Sequence, residues 1–257
     1  MMKKGLPYVF AIAMIASVVL LTGCGEKSEN GEKEKEKIYV IYSDNAFAPF
    51  EYFDTENNTY IGIDMDLMEA IAEDQGFKYE MHNEGFKAAI DAVQNGQADA
   101  MIAGISITEE REETFDFSDA YFSDGQVFVA REGTGMEDLM GKTVAAMTST
   151  LCAKYAESIK DEYGFTVNYY EDTIDMYQAV QNGTDAACVE DFSAIGYAIK
   201  TGEVNLTIIS EEPVNIKGYG LAVQKDMNSE LIRKFNVGLA NIKASGKFNE
   251  ILAKYGY

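Results

Sequence analysis

The chain after residue 37 alternates short apolar runs with longer amphipathic segments. The run KIYVIYS alternates apolar and polar residues, which is typical of a strand. The segment IDMDLMEAIAEDQGF repeats apolar residues every four positions and stops at a glycine, so it predicts a helix. The continuous apolar run ADAMIAGI is typical of a strand that is buried on both faces. Strands that alternate with helices predict an α/β fold with mostly parallel sheets.

The same order of elements returns in the second half of the chain. The segments FKAAIDAVQNGQADAMI and TIDMYQAVQNGTDAACV both predict a helix, an Asn-Gly stop and a buried strand. We therefore predict two similar lobes, each with a mostly parallel sheet flanked by helices, and a ligand cleft between them. Residues 38–127 and 219–257 are expected to form lobe 1, and residues 128–218 are expected to form lobe 2.

Two extended segments are predicted to join the lobes as a hinge. They are GQVFVARE at 125–132 and IKGYGLAVQ at 216–224. A two-strand hinge would let the cleft close around a ligand. The stretch from Asn228 to the end predicts two helices that return to cover lobe 1.

The N-terminal residues are predicted to lie outside the fold. A basic start, an apolar run shorter than a membrane span and the sequence LTGC resemble the signal peptide of bacterial lipoproteins. We expect residues 1–23 to be removed and Cys24 to carry lipid on the outer face of the cytoplasmic membrane. An ordinary secretory signal or a short anchor is the alternative. Residues 24–37 alternate acids and bases without a large apolar residue, so they predict a flexible tether.

The net charge and the cysteine content exclude several classes of function. The formal charge is −22 at pH 7, and removal of the signal peptide with Lys3 and Lys4 makes it more negative. Such a chain repels nucleic acid, whose binding needs clustered basic residues. Cys152 and Cys188 are the cysteines left after the tether, and His82 is the single histidine, so no zinc site, other metal site or cofactor is expected. A disulfide between the two cysteines is the alternative to two buried free thiols.

Unusual residues follow the predicted strand ends, where open parallel sheets bind ligands. Asp44 and Phe47 come directly after the first strand. The buried strand ADAMIA runs into GISITEER, in which Gly104 permits close approach of the backbone and Ser106 offers a hydroxyl and an N–H. Arg111 follows about one turn into a short helix. A guanidinium beside free N–H groups suits a carboxylate, although on this stretch alone Arg111 could equally pair with a neighbouring acid.

Several further blocks occur in order along the chain, and together they carry a resemblance. The blocks are APFEY, GIDMDLMEAIA, AGISITEER, FDFSDAYF, GKTVA, VNLTIISEEP and SGKFNEILAKYGY. The chain resembles the polar amino-acid family of bacterial extracytoplasmic solute-binding proteins, and the resemblance covers essentially all of residues 38–257. It implies the type II periplasmic-binding-protein fold and a non-enzymatic receptor that delivers a free amino acid to an ABC permease. We expect a monomer.

The resemblance implies roles for the residues of lobe 1. Arg111 would clamp the α-carboxylate, while Gly104 and Ser106 would receive the α-amino group and the carboxylate. Asp44 and Phe47 would contact the ligand side chain. The position of Phe86 in lobe 1 also matches one where some members stack a second aromatic ring.

The side-chain end of the ligand is also suggested by the residue types. Plain core packing is the alternative role for Phe47 and Phe86. Met147 matches a position that touches the ligand side chain in some members, and an uncharged methionine argues against an acidic ligand. Glutamine or another polar neutral amino acid is favoured, and a basic amino acid or cystine comes next.

The lobe 2 residues depart from the family pattern at one point. Ser149 stands where the family usually has glycine. Thr150 would still offer a hydroxyl or N–H to the carboxylate, and Leu151 would offer its N–H. The resemblance also implies an acidic residue that binds the α-amine. Counting back from YAIKTG places it at Asp191, and counting forward from Asp185 places it at Glu190, the alternative. Aspartate is the better helix N-cap, which favours Asp191.

Two other classes of function use the same scaffold. Some relatives of the fold are periplasmic dehydratases. If this chain were such an enzyme, Glu190 or Glu84 would act as the acid or base. The sequence contains no evident nucleophile–base pair. A ligand-sensing subunit of a signalling complex would need a separate partner protein.

Overall fold

A computed structural model describes residues 37–257. The predicted signal peptide (1–23), the predicted lipidation site Cys24 and all but the last residue of the predicted tether (24–37) lie outside the described residues. In the part that is described, no helix is both long and apolar enough to cross a membrane.

The strands alternate with helices along the described residues, as the sequence pattern predicts. The strands are β1 (Ile38–Ser43), β2 (Ala46–Phe47), β3 (Glu51–Asp54), β4 (Thr59–Ile61), β5 (Lys78–Asn83), β6 (Ala100–Met101), β7 (Phe115–Phe117), β8 (Phe122–Ala130), β9 (Thr143–Met147), β10 (Thr166–Tyr170), β11 (Ala187–Asp191), β12 (Thr207–Ile208), β13 (Val214–Tyr219) and β14 (Ala222–Gln224). The α-helices are α1 (Ile63–Gln75), α2 (Phe86–Gln94), α3 (Glu109–Glu112), α4 (Leu151–Tyr163), α5 (Thr173–Asn182), α6 (Phe192–Thr201), α7 (Ser229–Ser245) and α8 (Lys247–Lys254), and Met136–Leu139 is a 3₁₀ helix.

The first sheet has the strand order β5-β1-β6-β14-β7. Strands β5, β1 and β6 are parallel, and β14 runs antiparallel to both of its neighbours. Helix α1 ends at Gly76, whose φ of 63° is the left-handed conformation that glycine adopts without a steric penalty. The predicted glycine stop is therefore present, and it returns the chain to the sheet as β5.

The second sheet has the order β10-β9-β11-β8-β12, and β13 also pairs with β8. Strands β10, β9 and β11 are parallel, and β8 is antiparallel to its partners. Because parallel strands need crossover connections, helices α4 and α5 join them. The predicted α/β class is confirmed, with parallel strands at the centre of mixed sheets.

The chain passes between the two sheets at residues 118–121 and 220–221. Strands β8 and β13 lie side by side where they leave these passages, with Tyr219 opposite Phe122. The segment 125–132, expected as a joint, lies largely within β8, and the segment 216–224 spans the second passage. Because residues 37–257 pack as parts of one compact unit, the lobe boundaries stay a prediction.

The two C-terminal helices pack on α1, as the sequence predicts. Leu67 and Ile71 of α1 and Phe235 and Leu239 of α7 belong to one buried apolar cluster. A small antiparallel sheet of β2, β3 and β4 was not predicted, because its strands are too short to show a periodic pattern. It matters for the site, because β2 and β3 hold Phe47 beside Glu51.

Candidate ligand-binding site

The ten residues predicted to bind ligand all border one cavity. The lining residues are Asp44, Phe47, Phe86, Ala103, Gly104, Ser106, Arg111, Met147, Thr150, Leu151, Cys152, Glu190 and Asp191. Sequence reasoning missed Ala103 and Cys152, because a small apolar residue and a thiol carry no signal that separates a cavity wall from a core. The cavity thus collects residues from both sheets, while their roles in binding stay predictions.

Arg111 spans the cavity and does not pair with the acids beside it in sequence. Its Nη1 donates to the carbonyl of Ser106 at 2.9 Å, and its Nη2 donates to the carbonyl of Ser149 at 3.0 Å. The nearby Glu110 instead pairs with Lys154. Burial lowers the pKa of Arg111 and the Asp191 carboxylate opposes that shift, but an arginine stays charged at neutral pH. A half-buried cation therefore faces the cavity.

Thr108 caps the short helix that carries Arg111. Its hydroxyl accepts a hydrogen bond from the backbone N–H of Arg111 at 3.2 Å and so caps helix α3. The predicted cap is present. The guanidinium carbon also lies 5.6 Å from the centre of the Phe86 ring, which supports it from one side.

Asp191 is the buried anion of the cavity. Its Oδ1 accepts hydrogen bonds from Gln126 at 3.1 Å and from the Cys152 thiol at 3.5 Å, and its Oδ2 accepts one from the Tyr219 hydroxyl at 2.7 Å. Burial raises the pKa of Asp191, whereas these donors and Arg111 lower it. The donors hold the carboxylate in one orientation before any ligand arrives.

The helix-capping argument for Asp191 was wrong in its mechanism. Asp191 does occupy the N-cap position of α6, but its side chain makes no capping hydrogen bond. Asp124 of β8 accepts the hydrogen bond from the N–H of Ser193 at 2.9 Å instead. Because Asp124 replaces it as the cap, the Asp191 carboxylate is free to turn toward Gln126 and Tyr219.

Glu190 differs from Asp191 in its charge state. Burial, followed by the neighbouring Asp191 carboxylate, raises the pKa of Glu190 to about 8. Its Oε1 accepts a hydrogen bond from the N–H of Asp191 at 2.8 Å. At neutral pH Glu190 is therefore mostly protonated, which makes it a weaker partner for an ammonium group than Asp191.

The opposite end of the cavity carries Asp44 and two aromatic rings. The Asp44 carboxylate is buried and accepts a hydrogen bond from the N–H of Asn45 at 2.6 Å; burial raises its pKa. Phe47 and Phe86 are only 8% and 7% exposed, so both pack in a core as well as lining the cavity. Each ring therefore lines the cavity and also packs in an apolar core.

The loop from Met147 to Leu151 forms the lobe 2 side of the cavity. The Thr150 hydroxyl donates to the carbonyl of Met147 at 2.6 Å and accepts from the N–H of Ala153 at 3.1 Å, so it caps α4. That hydroxyl is committed to the helix. The resemblance offered Thr150 a hydroxyl or an N–H for the ligand, and the geometry favours the N–H.

Ser149 has a φ of 63°, the left-handed conformation that non-glycine residues avoid at a cost of roughly 1–2 kcal/mol. We expect Ser149→Gly to raise the free energy of unfolding by about 1 kcal/mol and the melting temperature by about 2–4 °C. Ser158→Gly, at an exposed helical position of α4, is the matched control and should lower stability by about 0.5–1 kcal/mol. Thermal melts that fall equally for both variants would contradict the strain argument.

Three buried acids predict that stability falls as the pH rises from about 5 to about 8. Burial raises the pKa of Asp124 to about 6, of Asp64 to about 7 and of Glu190 to about 8. In this pH range the folded state holds more protons than the unfolded state. Each group therefore lowers the free energy of unfolding by at most about 1.4 kcal/mol per pH unit, until the pH exceeds the pKa of that group in the folded state. Urea unfolding across this range measures the slope. Glu190→Gln should flatten it and the exposed control Glu73→Gln should not; equal slopes in all three proteins would refute the assignment.

Cys152 and Cys188, the cysteines among residues 37–257, are free thiols and both are buried. Cys152 brings its sulfur close to Glu190 and Asp191, so that one donor atom from each lies within 4.8 Å of the others. The Arg111 charge acts on the same Asp191 carboxylate, which already accepts three hydrogen bonds.

Comparison with known proteins agrees with this geometry. Residues 39–257 match the bacterial extracellular solute-binding proteins, family 3. The chain belongs to this family. The predicted resemblance is confirmed, and the family and its relatives are described by the solutes that they bind rather than by a reaction that they catalyse.

Relatives of this solute-binding protein carry amino-acid names. The arginine-binding extracellular protein ArtP of Bacillus subtilis is 29% identical, over 99% of this chain and 98% of ArtP. The ABC transporter glutamine-binding protein GlnH of the same organism is 28% identical, over 99% of this chain and 97% of GlnH. An ancestral arginine-binding protein bound to arginine superposes with a TM-score of 0.78 at 32% identity, over 86% of this chain and 98% of that structure. The predicted type II periplasmic-binding-protein fold is confirmed, and the protein is similar to the amino-acid receptors of ABC importers.

Proposed function

We propose that this protein captures a free amino acid in the cavity lined by Arg111 and Asp191 and delivers it to an ABC permease. The observation that carries the proposal is a half-buried cation and a buried anion that border the same cavity and act on each other's pKa. An α-amino acid is a zwitterion, so its carboxylate suits Arg111 and its ammonium group suits Asp191. Each charge then loses its water against an opposite charge, which offsets the cost of burial.

The remaining charge of the cavity bears on which amino acid binds. With Glu190 mostly protonated, Arg111 and Asp191 balance the head group, and Asp44 is left at the other end beside Phe47 and Phe86. A side-chain amide can donate to Asp44 without adding charge, and the uncharged Met147 gives no partner for an acidic ligand. We therefore favour glutamine or another polar neutral amino acid.

A basic amino acid is the second candidate, because a side-chain cation would neutralise Asp44 and lie flat between Phe47 and Phe86. Cystine comes after it. The names of the relatives do not decide between these classes, since ArtP and GlnH are similar to this chain at nearly equal identity.

Closure of the two lobes over the ligand is part of the proposal. Contacts between residues of predicted lobe 1 and predicted lobe 2 include three on the side chains around and beside the cavity. They are Arg111 with the Ser149 carbonyl, Glu110 with Lys154, and the Tyr52 hydroxyl with the Tyr197 hydroxyl at 3.2 Å. Such contacts support a closed form around the cavity that hinge motion at the two passages would open. Lipid on Cys24 would hold the receptor beside its permease.

A ligand screen with one variant tests the function and the ligand class together. Thermal shift with the common amino acids, including cystine, should single out one ligand class, because a ligand that binds only the folded state raises its melting temperature. Calorimetric titration of Asp44→Asn should then show a loss of about tenfold for a neutral ligand and at least about 30-fold for a cationic one. The exposed Asp161→Asn is the control. A protein that no amino acid stabilises would overturn the proposal.

A further inference from the structure

Two acidic side chains that do not line the cavity are fully buried just behind it. Glu51 of β3 and Asp64 of α1 both have 0% exposure. The Asp64 Oδ2 accepts hydrogen bonds from the N–H of Gly104 at 2.9 Å and from the Tyr121 hydroxyl at 2.8 Å. Both Glu51 oxygens and the Asp64 Oδ1 find no donor among the described residues. Buried polar atoms of this kind demand a partner.

The two carboxyl groups can satisfy each other only if one of them carries a proton. Two carboxylates offer acceptors and no donor, whereas a protonated carboxyl group donates through its O–H. Burial, the Asp64 charge and the Asp44 charge all raise the pKa of Glu51 well above its usual value, and its hydrogen bond with Asp64 raises it further. Burial raises the pKa of Asp64 only to about 7, because its hydrogen bonds from Gly104 and Tyr121 and this same hydrogen bond from Glu51 lower it. Glu51 is thus the acid of the pair and Asp64 is the carboxylate.

This pair is connected to two walls of the cavity. Glu51 pairs through its backbone with Phe47 of β2. Asp64 holds the N–H of Gly104, which has a φ of 51°. Gly104 in turn packs so closely on Phe47 that a Cβ added there would lie 2.5 Å from the ring. Phe47, Glu51, Asp64 and Gly104 therefore form a closed ring of contacts.

We propose that Glu51 stays protonated and donates to Asp64, and that this acid–carboxylate pair positions Gly104 and Phe47 for the ligand. Neither carboxyl group borders the cavity, so both are positioning residues. The proton also removes a negative charge next to Asp44, which leaves Asp44 as the anion at that end of the cavity. The affinity effect rests on the proposed function, while the shared proton and the hold on Gly104 do not.

Two substitutions of Glu51 distinguish the effect of its titratable proton from the effect of its hydrogen-bond donor. Glu51→Gln keeps a donor for Asp64 but has no titratable proton, and Glu51→Met has a similar length and no donor. We expect Glu51→Met to weaken amino-acid binding by about 5- to 100-fold, the order expected when a buried acceptor loses its donor. Glu51→Gln should recover most of that loss. The Gly104 amide proton should exchange with solvent faster in Glu51→Met than in the wild type or in Glu51→Gln.

Infrared spectroscopy detects the proton directly. The difference spectrum of the wild type minus Glu51→Gln at neutral pH should contain the C=O band of the protonated Glu51, whereas the band of the protonated Glu190 is present in both proteins and cancels. No such band, or Glu51→Gln binding as weakly as Glu51→Met, would overturn the proposal. If Glu51→Met does not fold, the infrared band and the Gly104 exchange of Glu51→Gln still decide it. If the wild type binds no amino acid, the proposed function fails, and these two measurements test the pair on their own.

Discussion

Replacing Arg111 with alanine should weaken ligand binding by about 30- to 5,000-fold, the largest effect expected for any single side chain of the cavity. Truncating one member of a buried, hydrogen-bonded charge pair costs about 2–5 kcal/mol, and each 1.4 kcal/mol is a factor of ten. In Arg111→Ala the ligand carboxylate would still lose its water but would meet no cation. Isothermal titration of the ligand found in the screen measures the loss.

Arg111→Lys tests whether geometry matters beyond charge. Lysine keeps the positive charge but cannot form two parallel hydrogen bonds to one carboxylate, so we expect it to recover only part of the affinity. Arg233→Ala, at an exposed position of α7, is the control for loss of a positive charge on an acidic protein. If Arg111→Ala binds as tightly as Arg233→Ala, Arg111 is a structural link between the Ser106 and Ser149 carbonyls and does not bind the ligand.

The sequence predicts the class of the fold because its two signals are local and repeated. Helix period, glycine stops and buried apolar runs each act within one element, and the Asn-Gly repeat revealed two similar halves. What it could not predict was set by contacts distant in sequence. Strand β6 is only Ala100–Met101, because the neighbouring strands limit its pairing, and the β2–β3–β4 sheet left no periodic trace.

The same distinction applies to the cavity. Arg111, Gly104 and Ser106 were found because they follow one strand directly, which is where a parallel sheet exposes its loops. The sequence does not predict that the Thr150 hydroxyl caps α4, because this contact depends on the folded loop. With the hydroxyl engaged in the cap, the N–H of Thr150 is the group that we expect to face the ligand. Glu51 lies within the APFEY block, but the sequence does not predict its role, because that role depends on contact with Asp64 in another element.

Asp191→Asn should reduce affinity by a factor similar to that of Arg111→Ala, and it decides between the two candidate amine-binding residues. Asparagine keeps the shape, its oxygen can still accept from Gln126 and its NH2 group can donate to the Tyr219 hydroxyl, so the change removes mainly the charge. An ammonium group then faces a neutral amide in a buried cavity, at a cost of about 2–5 kcal/mol. Glu190→Gln should cost far less at neutral pH, because Glu190 with a pKa of about 8 is already mostly uncharged there.

A ligand analogue without the α-amine shows whether the lost energy belongs to that group. The analogue should bind Asp191→Asn and the wild type with nearly equal affinity, yet still lose affinity in Arg111→Ala, because its carboxylate is unchanged.

A larger loss for Glu190→Gln than for Asp191→Asn would assign the amine to Glu190. It would also mean that the arriving ammonium group draws the proton from Glu190. In that case binding would release a proton near neutral pH, and the calorimetric heat would depend on the ionisation enthalpy of the buffer. The binding of an amine by Asp191, already ionised and held by Gln126, Cys152 and Tyr219, releases none.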